Sequence, residues 1–351
     1  MEPATASSPP LDPMSEFLKA ALHSRGIPAL PIQLEKNTPT KRFRPWLTFT
    51  IGGQDFLYRS GALIEAGADD WWRAGLNINH RAQVLIAHKY KSKMYLKDRG
   101  FGVPEGYFFR RRHLEEALAA FDRFSGPVCV KPNHGSEGHC VYPSITEKRW
   151  YDQAIRRVAE HYPTILAEES IEGEHFRFFY IDPHVVAIRC GRPLSVVGDG
   201  ISSLADLLEA KNEARRQRAL PNHQVFRVNQ ETLDYLEQQG RHIDDVAPAG
   251  ERVFLRGASN ANAGADSYLY WDEVHPSYRK IVEEACQSMP GLYLCGVDLI
   301  IRDMSQPAER GNYWILEMNS NPAITSYYYP WEGKTVDVAD LLIEMLHRNY
   351  A

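Results

Sequence analysis

The run LTFTIGGQDFLY at 47–58 alternates apolar and polar positions on either side of Gly52-Gly53, which predicts two strands joined by a tight turn. Upstream, Phe17, Leu18, Ala21 and Leu22 recur at helical spacing and predict a short helix over 15–23, stopped near Gly26 and Pro28. A longer helical stretch, rich in Ala, Leu, Lys and Tyr, is predicted over 79–99. It ends at Gly100, and an extended segment begins at Gly102-Val103-Pro104. Further helices are predicted over 114–124, 203–218, 278–288 and 336–347. Short apolar runs predict strands over 128–132, 165–169, 292–302 and 313–318, with a broken pair over 176–188 that turns at Asp182-Pro183. An aromatic patch at 71–75 takes no assigned role. Helices and strands mix without a regular β-α-β period or an internal repeat, so the expected class is α+β (α/β), built from several lobes.

Composition narrows the class. The 351 residues are 44% hydrophobic and 24% charged, which excludes a disordered tail protein or a fibre and leaves room for two to three units of about 150 residues. Lys and Arg number 40 against 45 Asp and Glu, a net charge of −5. No basic excess advertises a nucleic-acid partner. Five scattered cysteines without a C-x-x-C pair suit free thiols in a reducing compartment. Residues 1–14 are Pro-rich and read as a flexible terminus without secretory character, and no apolar run approaches the ~18 residues of a membrane span. A cytoplasmic enzyme without a membrane partner is the expectation.

Three constellations carry candidate chemistry. The strand VCVKP delivers Lys131 to the turn Asn133-His134-Gly135-Ser136-Glu137-Gly138. A Gly-rich turn can aim successive backbone N–H groups at phosphate oxygens, and lysine adds a compact positive charge. The acidic run Glu168-Glu169-Ser170-Ile171-Glu172-Gly173-Glu174 reads either as a solvated rim or as a hinge meeting a purine and its ribose. Third, Asp298 lies inside an apolar strand, and Glu317 and Asn319 follow in ILEMNSNP. Residues i and i+2 of a strand share a face, so Glu317 and Asn319 point together. The connection 303–312, with Pro307 and Gly311, suits an antiparallel pair that sets Asp298 beside Glu317. Two carboxylates and an amide carbonyl offer oxygen ligands only, the set that suits Mg²⁺.

VCVKPNHGSEG, ILAEESIEGEHFRFF, GVDLI and ILEMNSNP, in that order, resemble the ATP-grasp superfamily, and most nearly the ATP-grasp module of cyanophycin synthetases and bifunctional glutathione synthetases. VVGDG at 196–200, ERVFLRGASNANAG at 251–264, DEVHP at 272–276 and HKYKSKMYLKDRGFGVPEGYFF at 88–109 extend the resemblance over about 79–345. It implies an ATP-grasp fold with an N-terminal substrate lobe (15–88) and an ATP-grasp domain (89–351) whose lid spans about 126–171. It implies that Lys89, Lys93 and Lys131 contact ATP phosphates beneath a loop formed by His134, Gly135, Ser136 and Gly138. Glu168, Glu169, Ser170 and Ile171 would meet the adenine, and Glu174 or His175 the ribose. Asp298, Glu317 and Asn319 would hold one or two Mg²⁺ ions, with Mn²⁺ as a substitute. Arg256, Lys131 and Asn321 would serve catalysis at the acyl phosphate or substrate.

The implied activity is an ATP-dependent ligase of the amide-forming class. It would join a small-molecule carboxylate to an amine through an acyl phosphate, and a homodimer is compatible with it. A phosphotransferase on the same fold and a silent nucleotide-binding scaffold are the rivals. The sequence departs from the family at His88, where Asp is usual, and at His175, where the ribose-binding acid is usual. It departs again at 260–265, where Asn-Ala-Asn-Ala-Gly-Ala replaces a more hydroxylated stretch, and at Arg189 and Arg192, which flank Cys190-Gly191 out of register. In the N-terminal lobe, Arg42, Arg44, Tyr58 and Arg59 are candidate substrate contacts, since arginine suits bidentate carboxylate recognition.

Overall fold

A computed structural model describes residues 10–33, 44–67, 76–135, 139–218, 225–257 and 265–351. The 71–75 patch, Arg42, Ser136, Gly138 and most of the 260–265 stretch lie outside them. Helix α1 (Pro13–Ser24) is capped by Asp12, whose carboxylate accepts from the Met14 and Ser15 amides. An antiparallel sheet follows in meander order: β1 (Ala29–Ile32), β2 (Trp46–Ile51), β3 (Gln54–Arg59), β4 (Ala62–Glu65) and β5 (Leu76–Asn77). The predicted 47–58 hairpin is β2–β3, with Gly52 and Gly53 both at positive φ (57° and 80°). Gly52 also leaves no room for a side chain, because a Cβ there would lie 1.7 Å from the Tyr350 carbonyl oxygen.

The predicted 79–99 helix is two helices, α2 (His80–Ile86) and α3 (Lys89–Lys97), and the break at Ala87-His88 is a capping event. His88 is extended, and its Nδ1 accepts the Lys91 amide at 3.3 Å. The histidine is thereby the N-cap of α3.

A four-stranded antiparallel sheet in the order β6-β9-β7-β8 comprises β6 (Gly106–Arg110), β7 (Val128–Pro132), β8 (Tyr142–Ile145) and β9 (Thr164–Glu169). It is backed by α4 (Leu114–Ala119) and α5 (Lys148–His161). Phe109, Val128, Val130, Tyr151, Ile155, Val158, Ile165 and Ala167 form a core belonging to this lobe alone. The unit thus begins at Gly106.

The central sheet is built from β10 (Glu174–Ile181), β11 (His184–Arg192), β14 (Asp266–Leu269), β15 (Leu294–Ile301) and β16 (Tyr313–Asn319), in the order β14-β11-β10-β15-β16. Between β11 and β14 lie β12 (Ser195–Val197), α6 (Leu204–Arg218), α7 (Gln230–Gln238) and β13 (Arg252–Phe254), with their own small core. Helix α8 (Ser277–Ser288) precedes β15, and α9 (Thr325–Tyr328) and α10 (Val338–Tyr350) close the chain. Alternation along β10 and β15 divides the sheet. Phe176, Phe178, Tyr180, Val297 and Leu299 bury one face with α8 residues. Phe179, Ile181 and Leu294 pack on the opposite face with the N-terminal sheet, α1 and α10. That second face also carries His175, Arg177 and Asp298. Among the described residues no helix is long and apolar enough to cross a membrane.

Candidate active site

Strand β7 is buried at all five positions, so Lys131 enters the protein on a strand that offers it no solvent. Cys129 is paired with Glu168 on β9, and Lys131, two residues on, shares that face. The Lys131 ammonium stands 2.6 Å from the Glu168 carboxylate. Lys93 of α3 reaches the same carboxylate from the other side. Two cations thus share one anion inside the protein, a local excess of one positive charge. Burial opposes the charge of Lys93 and outweighs Glu168, lowering its pKa to about 8. Burial opposes Lys131 as well, but there the field of Glu168 prevails and its pKa is raised. Glu168 is held below the usual carboxylate range because the two lysines overcome its own burial.

Lys89 lies one helical turn before Lys93, on the same face of α3. It donates to the Gly135 carbonyl at 2.9 Å and pairs with Glu317 at 2.8 Å. One helix therefore ties the β7–β9 lobe to β16 through successive lysines. The antiparallel register of β15 and β16 sets Asp298 opposite Glu317, as the sequence predicts. The Asn319 amide donates to Asp298 at 3.1 Å and to Glu317 at 3.4 Å.

Arg177, opposite Asp298 on β10, clamps it with two hydrogen bonds of 2.7 and 2.6 Å. Burial opposes ionisation of Asp298, but the Arg177 charge and this fork hold it far below the usual carboxylate range. Among the described residues no three His, Cys, Asp or Glu side chains gather as a metal-binding group. The convergent donors are two carboxylates and one amide. Asp298 Oδ1 and both Glu317 oxygens keep a lone pair beyond these bonds, and turning the Asn319 amide over would put its oxygen in place of the N–H group that now faces the carboxylates, so the set offers oxygen donors that fit a hard divalent cation.

Comparison with known proteins places this geometry. No family model matches the chain. The glutathione biosynthesis bifunctional protein of Mannheimia succiniciproducens is 30% identical over 261 residues, 72% of this chain and 34% of that protein. Its Streptococcus agalactiae counterpart is 30% identical over 276 residues, 76% of this chain and 36% of that protein. A crystal structure of a bifunctional glutathione synthetase from Pasteurella multocida superposes with a TM-score of 0.66 at 23% identity, covering 97% of this chain and 44% of that one. The chain is an ATP-grasp homologue of these proteins. It spans about a third of the length of the curated relatives it matches.

On this ATP-grasp fold the other residues named by the resemblance have their own partners in the protein. The Glu168 carboxylate is buried and holds Lys131 on one oxygen and Lys93 on the other. Glu169 accepts from the Glu105 amide at 3.2 Å, and the Ser170 hydroxyl accepts from the Ser144 amide at 2.9 Å, so both serve the lobe's own structure. Glu174 pairs with Arg192 at 2.8 Å, whereas His175 lies 3.8 Å from Asp298. Arg256 is buried against α7, bonded to Asn229 at 3.1 Å and paired with Glu231. Asn321 accepts from Asn77 of β5 at 3.0 Å. Tyr58 is wholly buried, and Arg59 donates to the Arg44 carbonyl at 3.1 Å.

Sequence reasoning missed Arg177, although strand alternation puts it on the face of Asp298. It also missed Asn79, a buried amide that accepts from the Tyr293 and Leu294 amides and donates to the Leu294 and Ser320 carbonyls.

Proposed function

We propose that this chain is an ATP-dependent ligase joining a carboxylate to an amine. The observation that carries the proposal is the convergence of Lys89, Lys93 and Lys131, from one helix and one strand, beside the oxygen donors of Asp298, Glu317 and Asn319. The relatives' assignment to glutathione biosynthesis, which forms amide bonds, supports the reaction class. In the first step a carboxylate oxygen of the substrate attacks the γ-phosphorus of ATP, the bond to the bridging oxygen breaks, and ADP leaves. In the second, the amine nitrogen attacks the acyl carbon, loses a proton, and expels phosphate. The lysines offset charge developing on the phosphoryl oxygens, and the buried site keeps water from the acyl phosphate. Asp298, Glu317 and Asn319 would hold Mg²⁺, which supplies charge neutralisation at the phosphates when bound.

The four-stranded lobe, with its separate core, serves in this reading as the lid, and the N-terminal sheet sets substrate choice. The test is a screen of paired carboxylates and amines for ADP release, with hydroxylamine offered in place of the amine. The ligase reading expects a hydroxamate together with equal ADP and phosphate. A stable phosphorylated product without hydroxamate establishes the phosphotransferase instead.

A further inference from the structure

Asn133, at the end of β7, is fully buried, and its side chain decides the protonation pattern of two histidines. Its Oδ1 accepts the Tyr90 backbone N–H at 3.0 Å, which fixes the amide orientation and makes Nδ2 the donor. That NH₂ group carries two hydrogens. It lies 3.1 Å from His88 Nδ1 and 3.1 Å from His134 Nδ1, so each ring accepts one hydrogen. The Lys91 amide aims a second donor at His88 Nδ1 (3.3 Å), and the Thr164 hydroxyl lies 3.2 Å from His134 Nδ1. In a neutral imidazole the other nitrogen must then carry the proton.

The rings stand 4.9 Å apart, with their planes at 72°, beside the end of β7. Their surroundings supply positive charge. Lys89 bonds the Gly135 carbonyl, and Lys91 lies close enough to act on both rings. Burial first, then the neighbouring His134 and Lys91, hold His88 below its usual pKa; burial, Lys89 and Lys91 do the same for His134. Both rings are therefore neutral near physiological pH, with their only lone pair facing inward.

We propose that His88 and His134 form a pair of neutral Nε2–H donors, locked in that tautomer by Asn133, that binds the oxygens of a polyphosphate. With every ring acceptor already used, the outward polar atoms are donors flanked by lysines, and the complementary ligand is an oxyanion with several acceptor oxygens. Such rings have no outward lone pair for a metal, so the same geometry forbids a histidine metal site here. The inference deepens the ligase reading and rests on it for the identity of the polyphosphate as a nucleotide.

The test uses the full chain with nitrogen-labelled histidine. Long-range proton–nitrogen spectra should show Nε2–H for both rings, shifting when inorganic tripolyphosphate or MgADP is added. By calorimetry, His88→Asn, whose side-chain oxygen can cap α3 in place of Nδ1, and His134→Ala should each weaken tripolyphosphate and MgADP about tenfold, the worth of one hydrogen bond to a charged group. Adenosine affinity should not change. Nδ1–H or doubly protonated rings, unchanged tripolyphosphate affinity in both variants, or Zn²⁺ bound by the two rings would each overturn the inference. Binding of tripolyphosphate without binding of nucleotide keeps the donor pair and removes the ligase reading. Binding of neither overturns both.

Discussion

Replacing Glu168 by glutamine preserves shape and removes the one anion shared by Lys93 and Lys131. Both ammonium groups are buried, so neither can turn to water. Removing one partner of a buried pair costs about 3–5 kcal/mol, because an uncompensated charge stays behind. Here two cations are left, while the glutamine oxygen still accepts one hydrogen bond, so we expect about 3 kcal/mol near neutral pH. The pH dependence has a definite sign. The Lys93 pKa falls on folding, from 10.5 to about 8, so between those values the unfolded chain binds more protons and stability rises with pH. Below about 8 the wild-type protein carries a charged Lys93 that Glu168 partly supports. The glutamine variant loses that support, so its deficit is largest there and shrinks once Lys93 is neutral in both proteins. The assay is urea unfolding followed by circular dichroism, near neutral pH and again well above the Lys93 pKa. Lys93→Met should match or exceed wild-type stability while weakening nucleotide binding, since it removes the surplus cation. A Glu168→Gln deficit below about 1 kcal/mol, or one that grows with pH, would refute the shared-anion argument.

Other outcomes follow from single contacts. Arg177→Gln removes the fork that keeps Asp298 ionised, and unfolding should show a loss of about 3–5 kcal/mol near neutral pH. Because the folded Asp298 pKa is depressed, that difference should disappear as acid protonates the carboxylate in both proteins; a constant difference contradicts this. Gly61 has a φ of +84°, and a Cβ there would lie 2.8 Å from the Pro322 carbonyl oxygen and 2.9 Å from that of Asn321. Gly61→Ala should therefore displace the loop after β16, lowering stability by about 1–3 kcal/mol and raising the substrate KM without changing nucleotide affinity. If residues 106–169 act as a lid, amide exchange in β7 and β9 should slow with a non-hydrolysable ATP analogue, and unchanged protection at saturation counts against a lid.

The parts of the fold readable from sequence are those whose signals are local. The β2–β3 turn announces itself by paired glycines, and β7, β9, β15 and β16 are apolar runs bounded by turn residues. The Asp298–Glu317 juxtaposition follows from two strands, a short Pro- and Gly-containing connection and the two-residue repeat. Helix α5 was not legible in the same way: Tyr151, Ala154, Ile155 and Val158 are buried on one face, but the charged residues between them mask the stripe. The break before α3 carries neither Gly nor Pro, and only the fold reveals His88 as a cap. Partnerships between distant residues were least legible. Lys89 and Lys93 share a helix face, yet one meets Glu317 and the other Glu168, a division set by the two sheets that flank α3. Asn79 bonds residues more than two hundred positions away, and nothing in its own neighbourhood signals that role.

The central claim, amide formation through an acyl phosphate, is tested most directly by the fate of the carboxylate oxygen. With a substrate found by the screen and labelled with heavy oxygen in its carboxylate, the account predicts one labelled oxygen in the released phosphate for each amide formed, because the attacking oxygen leaves with phosphorus. Unlabelled phosphate accompanying the amide, or label retained in a stable phosphorylated product, would contradict it.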